Sequence, residues 1–234
     1  FNIETSHDLG VSQAEELIDE ANKMNYEYIA LTEHNPSRSK HSEKEIVEIL
    51  KRKREKVEQL NYSRVTKVFN GLEIDILPDG SCPIPLKSFD YLDFALVSIH
   101  SSFNLPKYQM THRVINALSW HPKVLIFAHP TTRKLNDREG VELEWPVIFN
   151  YCLKNNKWIE INADPMRLDL PDFLVREAVK TGVKLTLGTD SHAKEMMKNM
   201  PYGVSVARRG WCEKKNVVNC LSLIEFEKML KGGD

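Results

Sequence analysis

The chain has 234 residues, 41% of them hydrophobic and 28% charged, with a net charge of −1. That length suits one large α/β domain, so a single domain over 1–234 is expected. The near-zero charge excludes a general electrostatic pull on nucleic acid, leaving only a local patch for any DNA contact, and no apolar run approaches the roughly 18 residues of a membrane span.

From the N-terminus, which opens on Phe1 and shows no signal peptide, Ser12 followed by Glu15 reads as a capping box ahead of Leu17, Ile18 and Ala21. A buried strand follows over 28–32, and Ser42 with Glu45 opens a second helix through Ile46, Ile49, Leu50 and Val57. Short apolar runs at 68–69 with 72–76, 94–99, 124–128, 158–161 and 183–187 read as further strands. Helical stripes lie between and after them, over 109–119, 143–154, 171–181 and 222–231, with a shorter helix at 213–220. This alternation specifies a parallel sheet, either open or closed into a barrel. The mixed charges of 51–56 mark a solvated helix face. Cys82, Cys152, Cys212 and Cys220 form no CxxC pair, so they read as packing residues of a reduced, cytoplasmic protein.

The reactive residues fall where strands end. Glu33-His34 follows the 28–32 strand, His100 follows Ile99, His129 follows Ala128, and Asp190 and His192 follow Leu187 across a Gly188-Thr189 turn. Glu73 lies within its strand, on the face opposite Leu72 and Ile74. In parallel α/β folds, chemistry collects at the C-terminal strand ends. A lone histidine after a strand is more often structural, but five strands delivering imidazoles or carboxylates to one rim form a metal-site pattern. His41, His112 and His121 read as surface or packing residues, and Glu160 and Asn162 as groups that orient a neighbour. Nitrogen and oxygen donors without thiolates suit Zn²⁺, Mn²⁺ or Fe²⁺, and such ions bridged by a carboxylate suit phosphoester hydrolysis. There is neither a GxSxG elbow nor a phosphate-binding glycine loop.

The series Thr32-Glu33-His34, Gly71-Leu72-Glu73-Ile74-Asp75, Ser98-Ile99-His100, Ala128-His129-Pro130 and Gly188-Thr189-Asp190-Ser191-His192 resembles the polymerase and histidinol phosphatase (PHP) superfamily. The 71–80, 129–133, 160–171 and 202–211 segments resemble the branch attached to family X DNA polymerases. The resemblance runs through nearly the whole chain. It implies a distorted seven-stranded TIM-like (βα) barrel carrying up to three divalent metals, with Glu73 bridging two of them beside His100, His129 and Asp190. His34 and His192 would hold the third, and Glu73, Asp190 and His192 would carry catalysis. The implied activity is 3′→5′ exonuclease or related processing of DNA 3′ ends, usually favoured by Mn²⁺, with a polymerase domain outside this chain as a partner.

The family's first strand carries His-x-His, and here Asn2-Ile3-Glu4 stands in that place. Glu4 offers a carboxylate ligand, and Asp8 or His7 fills a neighbouring ligand position if the loop is one residue shorter. Arg133, Arg167, Arg208 and Arg209 are expected on loops near the rim as phosphate-binding forks, with Trp211 packed between helices. Two other readings compete: a catalytically weak scaffold that binds DNA, favoured by Asn2 and Glu4, and a histidinol-phosphate-type phosphatase.

Overall fold

Two periodicities set the architecture, the two-residue alternation of the short runs and the 3.6-residue stripes between them. In a computed structural model of the chain, which describes every residue except Asn2, Asp8, Arg64, Gly233 and Asp234, these become parallel strands and covering helices. The strands are β1 (Tyr28–Leu31), β2 (Lys67–Asn70), β3 (Glu73–Asp75), β4 (Ala95–Ser98), β5 (Val124–Phe127), β6 (Trp158–Asn162) and β7 (Leu185–Gly188). The helices are α1 (Ala14–Lys23), α2 (Glu43–Ser63), α3 (Lys107–Ser119), α4 (Trp145–Lys154), α5 (Asp172–Thr181), α6 (Met200–Arg209) and α7 (Leu223–Leu230).

β1 pairs with β2, and β3 to β7 pair in sequence order, every ladder parallel. β2 and β3 are halves of one bent strand. Across the bend Gly71 N donates to Leu31 O and Glu73 N to Glu33 O, each at 3.0 Å. The result is a curled parallel wall of the barrel type. Among the described residues no ladder joins β7 back to β1. Asn219 caps the free edge of β7 instead, its amide accepting from Leu187 N (2.7 Å) and donating to Leu187 O (2.9 Å) as a neighbouring strand would.

Alternate side chains along each strand point to opposite faces of this wall. Leu72, Ile74, Val97, Ile99, Phe127 and Ile159 belong to the core beneath the helices, with Val114, Ile148 and Val175. Phe69, Phe94, Leu96, Ile126 and Trp158 turn the other way and are closed off by Phe226 of α7. The Phe226 ring stacks on Tyr28 at 4.8 Å, and burying a ring of this size is worth about 2–3 kcal/mol. Further along the same inner face the residues become polar, with Glu73 on β3 and Glu160 and Asn162 on β6, all buried. One face therefore supplies both an apolar floor and a polar rim.

The junction below the rim is tied by Lys53 of α2, whose side chain is fully buried. Its ammonium donates to Leu31 O (3.1 Å) and Gly71 O (2.5 Å) and pairs with Glu33. It satisfies Gly71 O at the bend and adds a second donor to Leu31 O at the end of β1, just before His34.

Several sequence expectations need correction. Ser12 does not cap α1: the helix begins at Ala14 with Gln13 as N-cap, and Gln13 N donates to Glu16 Oε2 (3.0 Å). Ser12 Oγ accepts instead from Lys194 N (3.0 Å). The 213–220 segment forms two separate 3-10 turns, Lys214–Asn216 and Val218–Cys220, because the latter follows the edge of β7. α6 was not expected, and it carries Arg208 and Arg209 in its last turn rather than on a loop. Around Phe1–Thr5 no strand forms among the described residues; Thr5 makes only an isolated bridge to Pro36. The boundaries of α3, α4, α5 and α7 fall within about two residues of expectation. α5 ends on Gly182, whose φ of 90° is the left-handed conformation that a helix C-terminus favours and a Cβ opposes.

Candidate metal centre

The inner rim brings four of the expected ligands onto one point. Oε1 of Glu73 lies 2.9 Å from His129 Nε2, 3.4 Å from His100 Nε2 and 4.0 Å from His34 Nδ1. The ring centroids of His34 and His100 are 5.0 Å apart, and those of His100 and His129 are 5.2 Å apart. Each imidazole follows a different strand, so the cluster exists only in the folded chain. His129 (φ 27°) and Asp190 (φ 51°) sit in the left-handed region, where a side-chain-bearing residue is strained. Strain of this kind collects at functional sites.

Asp190 and His192 stand at the margin. Asp190 Oδ2 accepts from Asn162 Nδ2 (3.2 Å), and His192 Nδ1 donates to Asp190 O (2.9 Å). The His192 ring is 6.5 Å from that of His34. Asn162 thus orients a neighbour, as its strand position led one to expect. Glu160 does the same, accepting from His129 N at 2.6 Å.

His7 joins the cluster, its ring 4.4 Å from His34 and 4.8 Å from His100. Glu4 does not: its carboxylate turns to His41, with Oε2 3.2 Å from Nε2. Asp8 and Asn2 lie outside the described residues. Asp75 is the residue that the sequence reading missed. Its Oδ1 lies 2.7 Å from His100 Nδ1 and its Oδ2 2.6 Å from His7 Nε2. The signal was present, since residues two apart on a strand share a face and Asp75 follows Glu73 by two.

The arginines divide. Arg167 Nε is 3.6 Å from Asp190 Oδ2, at the rim. Arg133 spends Nε on Arg167 O (2.8 Å) and Nη2 on Leu168 O, bracing the loop after β6. Arg209 pairs with Asp172 at 2.8 Å, and Arg208 is exposed on the same turn. Trp211 is 64% exposed rather than packed between helices, with the Arg176 guanidinium 4.0 Å from its ring centroid. His121 stacks on Phe89 at 4.0 Å as a packing residue, and the exposed His112 meets Tyr108 in a tilted contact at 4.3 Å on the surface.

The electrostatics favour a charged carboxylate among imidazoles. Burial alone would raise Glu73, but His129, His34 and His100 hold it far below the ordinary carboxylate range. Burial alone would lower His129, but Glu73 lifts it to about 9. His34 is lowered, chiefly by burial. Glu160 is pushed up to about 7, first by burial and then by Asp190 and Glu73, against the pull of His129. A cation placed here would take over the charge balance that the imidazoles now supply. The donors fit one: Nδ1 of His34, the ring nitrogen turned towards Glu73, is buried without a hydrogen-bond partner. Glu73, His100 and His129 form one convergent nitrogen-and-oxygen set, and His7, His34, Asp75 and His100 another. Such donors suit Zn²⁺, Mn²⁺ and Fe²⁺.

The rim opens into a cavity of about 1040 Å³, bounded by His34, Glu73, His129 and Asp190 at one end and by Trp158 and Phe226 at the other. Among the described residues no helix is long and apolar enough to cross a membrane.

No family model matches the chain. Among curated proteins, the DNA polymerase/3′-5′ exonuclease PolX of Bacillus subtilis is 36% identical over 226 residues, 96% of this chain and 39% of that protein. A probable phosphatase of Acetivibrio thermocellus is 30% identical over 135 residues, 54% of this chain and 53% of that protein. The chain therefore spans about two fifths of PolX and half of the phosphatase. Among solved structures, the histidinol phosphate phosphatase of Lactococcus lactis, crystallised with zinc, L-histidinol and phosphate, superposes with a TM-score of 0.58. The identity there is 18%, covering 87% of this chain and 89% of that one, and this likeness speaks for the fold. Strand-end chemistry, parallel barrel-type architecture and the PolX alignment agree: the chain is related to the PHP-type, phosphoester-hydrolysing module of family X DNA polymerases.

Proposed function

We propose that the chain is a single-domain, divalent-metal-dependent phosphoesterase that removes nucleotides or blocking groups from DNA 3′ ends. The observation that carries the reading is the convergence of three imidazoles on one buried carboxylate oxygen, Glu73 Oε1, within 2.9–4.0 Å. In this reading Glu73, His100 and His129 hold one ion, Asp190 stands beside them, and His34 with His192 holds another. Up to three ions were expected from the family; Glu4 turns to His41, which favours a smaller number. Bound ions would lower the pKa of an attacking water and neutralise charge on the phosphoryl oxygens.

The chain's own groups do the rest. Glu73 remains ionised and draws the three imidazoles to one point. Asn162 fixes the Asp190 carboxylate. Arg167, at the rim, offers a fork to a phosphate. The 3′-5′ exonuclease activity for which the PolX relative is named supports the substrate assignment, as does the polymerase that shares that relative's name. A polymerase domain beyond this chain is part of the proposal.

The test is a short single-stranded DNA labelled at its 5′ end, incubated with protein and Mn²⁺. Stepwise shortening from the 3′ end is expected, and Arg167→Ala should slow it about tenfold through the lost charge-assisted contact. Arg208→Ala with Arg209→Ala should change the rate less than about twofold, because these side chains face solvent or Asp172. Intact DNA beside rapid hydrolysis of histidinol phosphate would replace this reading with the small-molecule one.

A further inference from the structure

His100 presents its two ring nitrogens to two different carboxylates. Nε2 lies 3.4 Å from Glu73 Oε1, and Nδ1 lies 2.7 Å from Asp75 Oδ1. The other oxygen of Asp75 lies 2.6 Å from His7 Nε2. These lengths separate two roles. Ligands about 2.0–2.1 Å from a tetrahedral ion stand roughly 3.3 Å apart. The gap between His100 and Glu73 therefore admits an ion. The two gaps at Asp75 are those of charge-assisted hydrogen bonds, with room for a proton and nothing larger. Although His7, His34, Asp75 and His100 crowd together as a donor set, Asp75 is placed as an acceptor behind the imidazoles rather than as a ligand.

We propose that Asp75 is a positioning residue, one carboxylate that accepts from Nδ1–H of His100 and from Nε2–H of His7. His100 Nε2 is then left unprotonated and aimed at Glu73, and His7 is anchored at the mouth of the centre. A carboxylate behind a ligating imidazole fixes its tautomer and ring orientation and raises its basicity. The backbone supports this placement. Asp75 N donates to Oδ1 of the buried Asn35 (2.8 Å), while Asn35 N donates to Glu73 O (2.8 Å), so the strand end cannot slide. Alternate residues of β3 thereby serve two tasks, Glu73 facing the ion and Asp75 facing the back of the next imidazole.

This inference rests on the metal-centre reading above, and its test separates the two. Long-range ¹H–¹⁵N spectra of the metal-free protein at pH 8 report which ring nitrogen of His100 carries the proton. Zinc titration of the same samples gives the affinity. Wild-type protein is expected to show the Nδ1–H form of His100. Asp75→Ala should convert it to the Nε2–H form that an unconstrained imidazole prefers, with zinc affinity lowered about 10- to 100-fold. Asp75→Asn retains an acceptor oxygen without the charge, so it should keep the Nδ1–H form and lose affinity only severalfold. If Asp75→Ala fails to fold, Asp75→Asn carries the test. A wild-type Nε2–H form overturns the proposal, as does unchanged zinc affinity in whichever of the two variants folds. If His100→Ala binds zinc as tightly as wild type, the metal-centre reading itself fails, while the His100 tautomer of the wild type still reports on Asp75.

Discussion

Replacing Glu73 by alanine is expected to reduce hydrolysis by roughly a thousandfold or more, beyond the ten- to hundredfold that loss of an outer partner of a metal ligand costs. Its oxygen is the point on which three imidazoles converge within 4.0 Å, and those imidazoles hold it ionised against its burial. Without it, cations at neighbouring positions would face each other unscreened, so metal content should fall by more than one ion per chain. Glu73→Gln keeps the shape and removes the charge, and should behave nearly as badly. His192→Ala should cost less, because its ring is 38% exposed and lies 3.9 Å from Asp190 Oδ1. Metal analysis by mass spectrometry, beside a chromogenic phosphodiester assay, checks this ordering. Glu73→Ala protein that retains its metal and more than a tenth of its rate would remove Glu73 from the centre.

The second large effect is on stability. Lys53→Met should destabilise the fold by about 3–5 kcal/mol, the range for breaking a buried ion pair from one side. The methionine matches the stem of the lysine, so little packing is lost. What remains is a Glu33 carboxylate without its principal cation, a Gly71 carbonyl oxygen without the ammonium, and a Leu31 carbonyl oxygen that keeps only its bond from Gly71 N. Burial alone would raise the Glu33 carboxyl; Lys53, first among its charged neighbours, holds it below its ordinary value. For a chain of this length the melting temperature should drop by about 10 °C. Glu33→Gln added to Lys53→Met should then cost less than the two single changes summed, since they break one interaction. A single variant melting within about 2 °C of wild type would mean that water enters the junction and replaces the ammonium.

How much of this could be read from sequence depends on which periodicity carried it. The strand runs and the residues that follow them, His34, His100, His129 and Asp190, were legible because alternation and strand ends fix both the face and the height of a side chain. α6 was not. Its opening Met200-Pro201-Tyr202-Gly203 looks like a break, yet proline fits a helix's first turn. Gly203 serves packing: a Cβ there would stand 2.9 Å from Ala163 Cβ. Arg208 and Arg209 were misplaced for that reason. Asp75 was overlooked because Glu73 already accounted for the motif, and the reading stopped one strand step short. Glu4 could not be placed from sequence at all. Its direction is set by His41, 37 residues later, through a tertiary contact with no local signature.

The central claim is that this rim works as a metal-dependent phosphoester hydrolase, and removing and restoring the metal tests it most directly. Protein stripped with a chelator should cleave neither a chromogenic phosphodiester nor 3′-terminal nucleotides. Adding Mn²⁺ or Zn²⁺ back in steps should restore cleavage in proportion to the ions bound per chain, with saturation at one to three. Cleavage that persists in metal-free protein, or ions that bind at the rim without restoring any cleavage, would contradict the account.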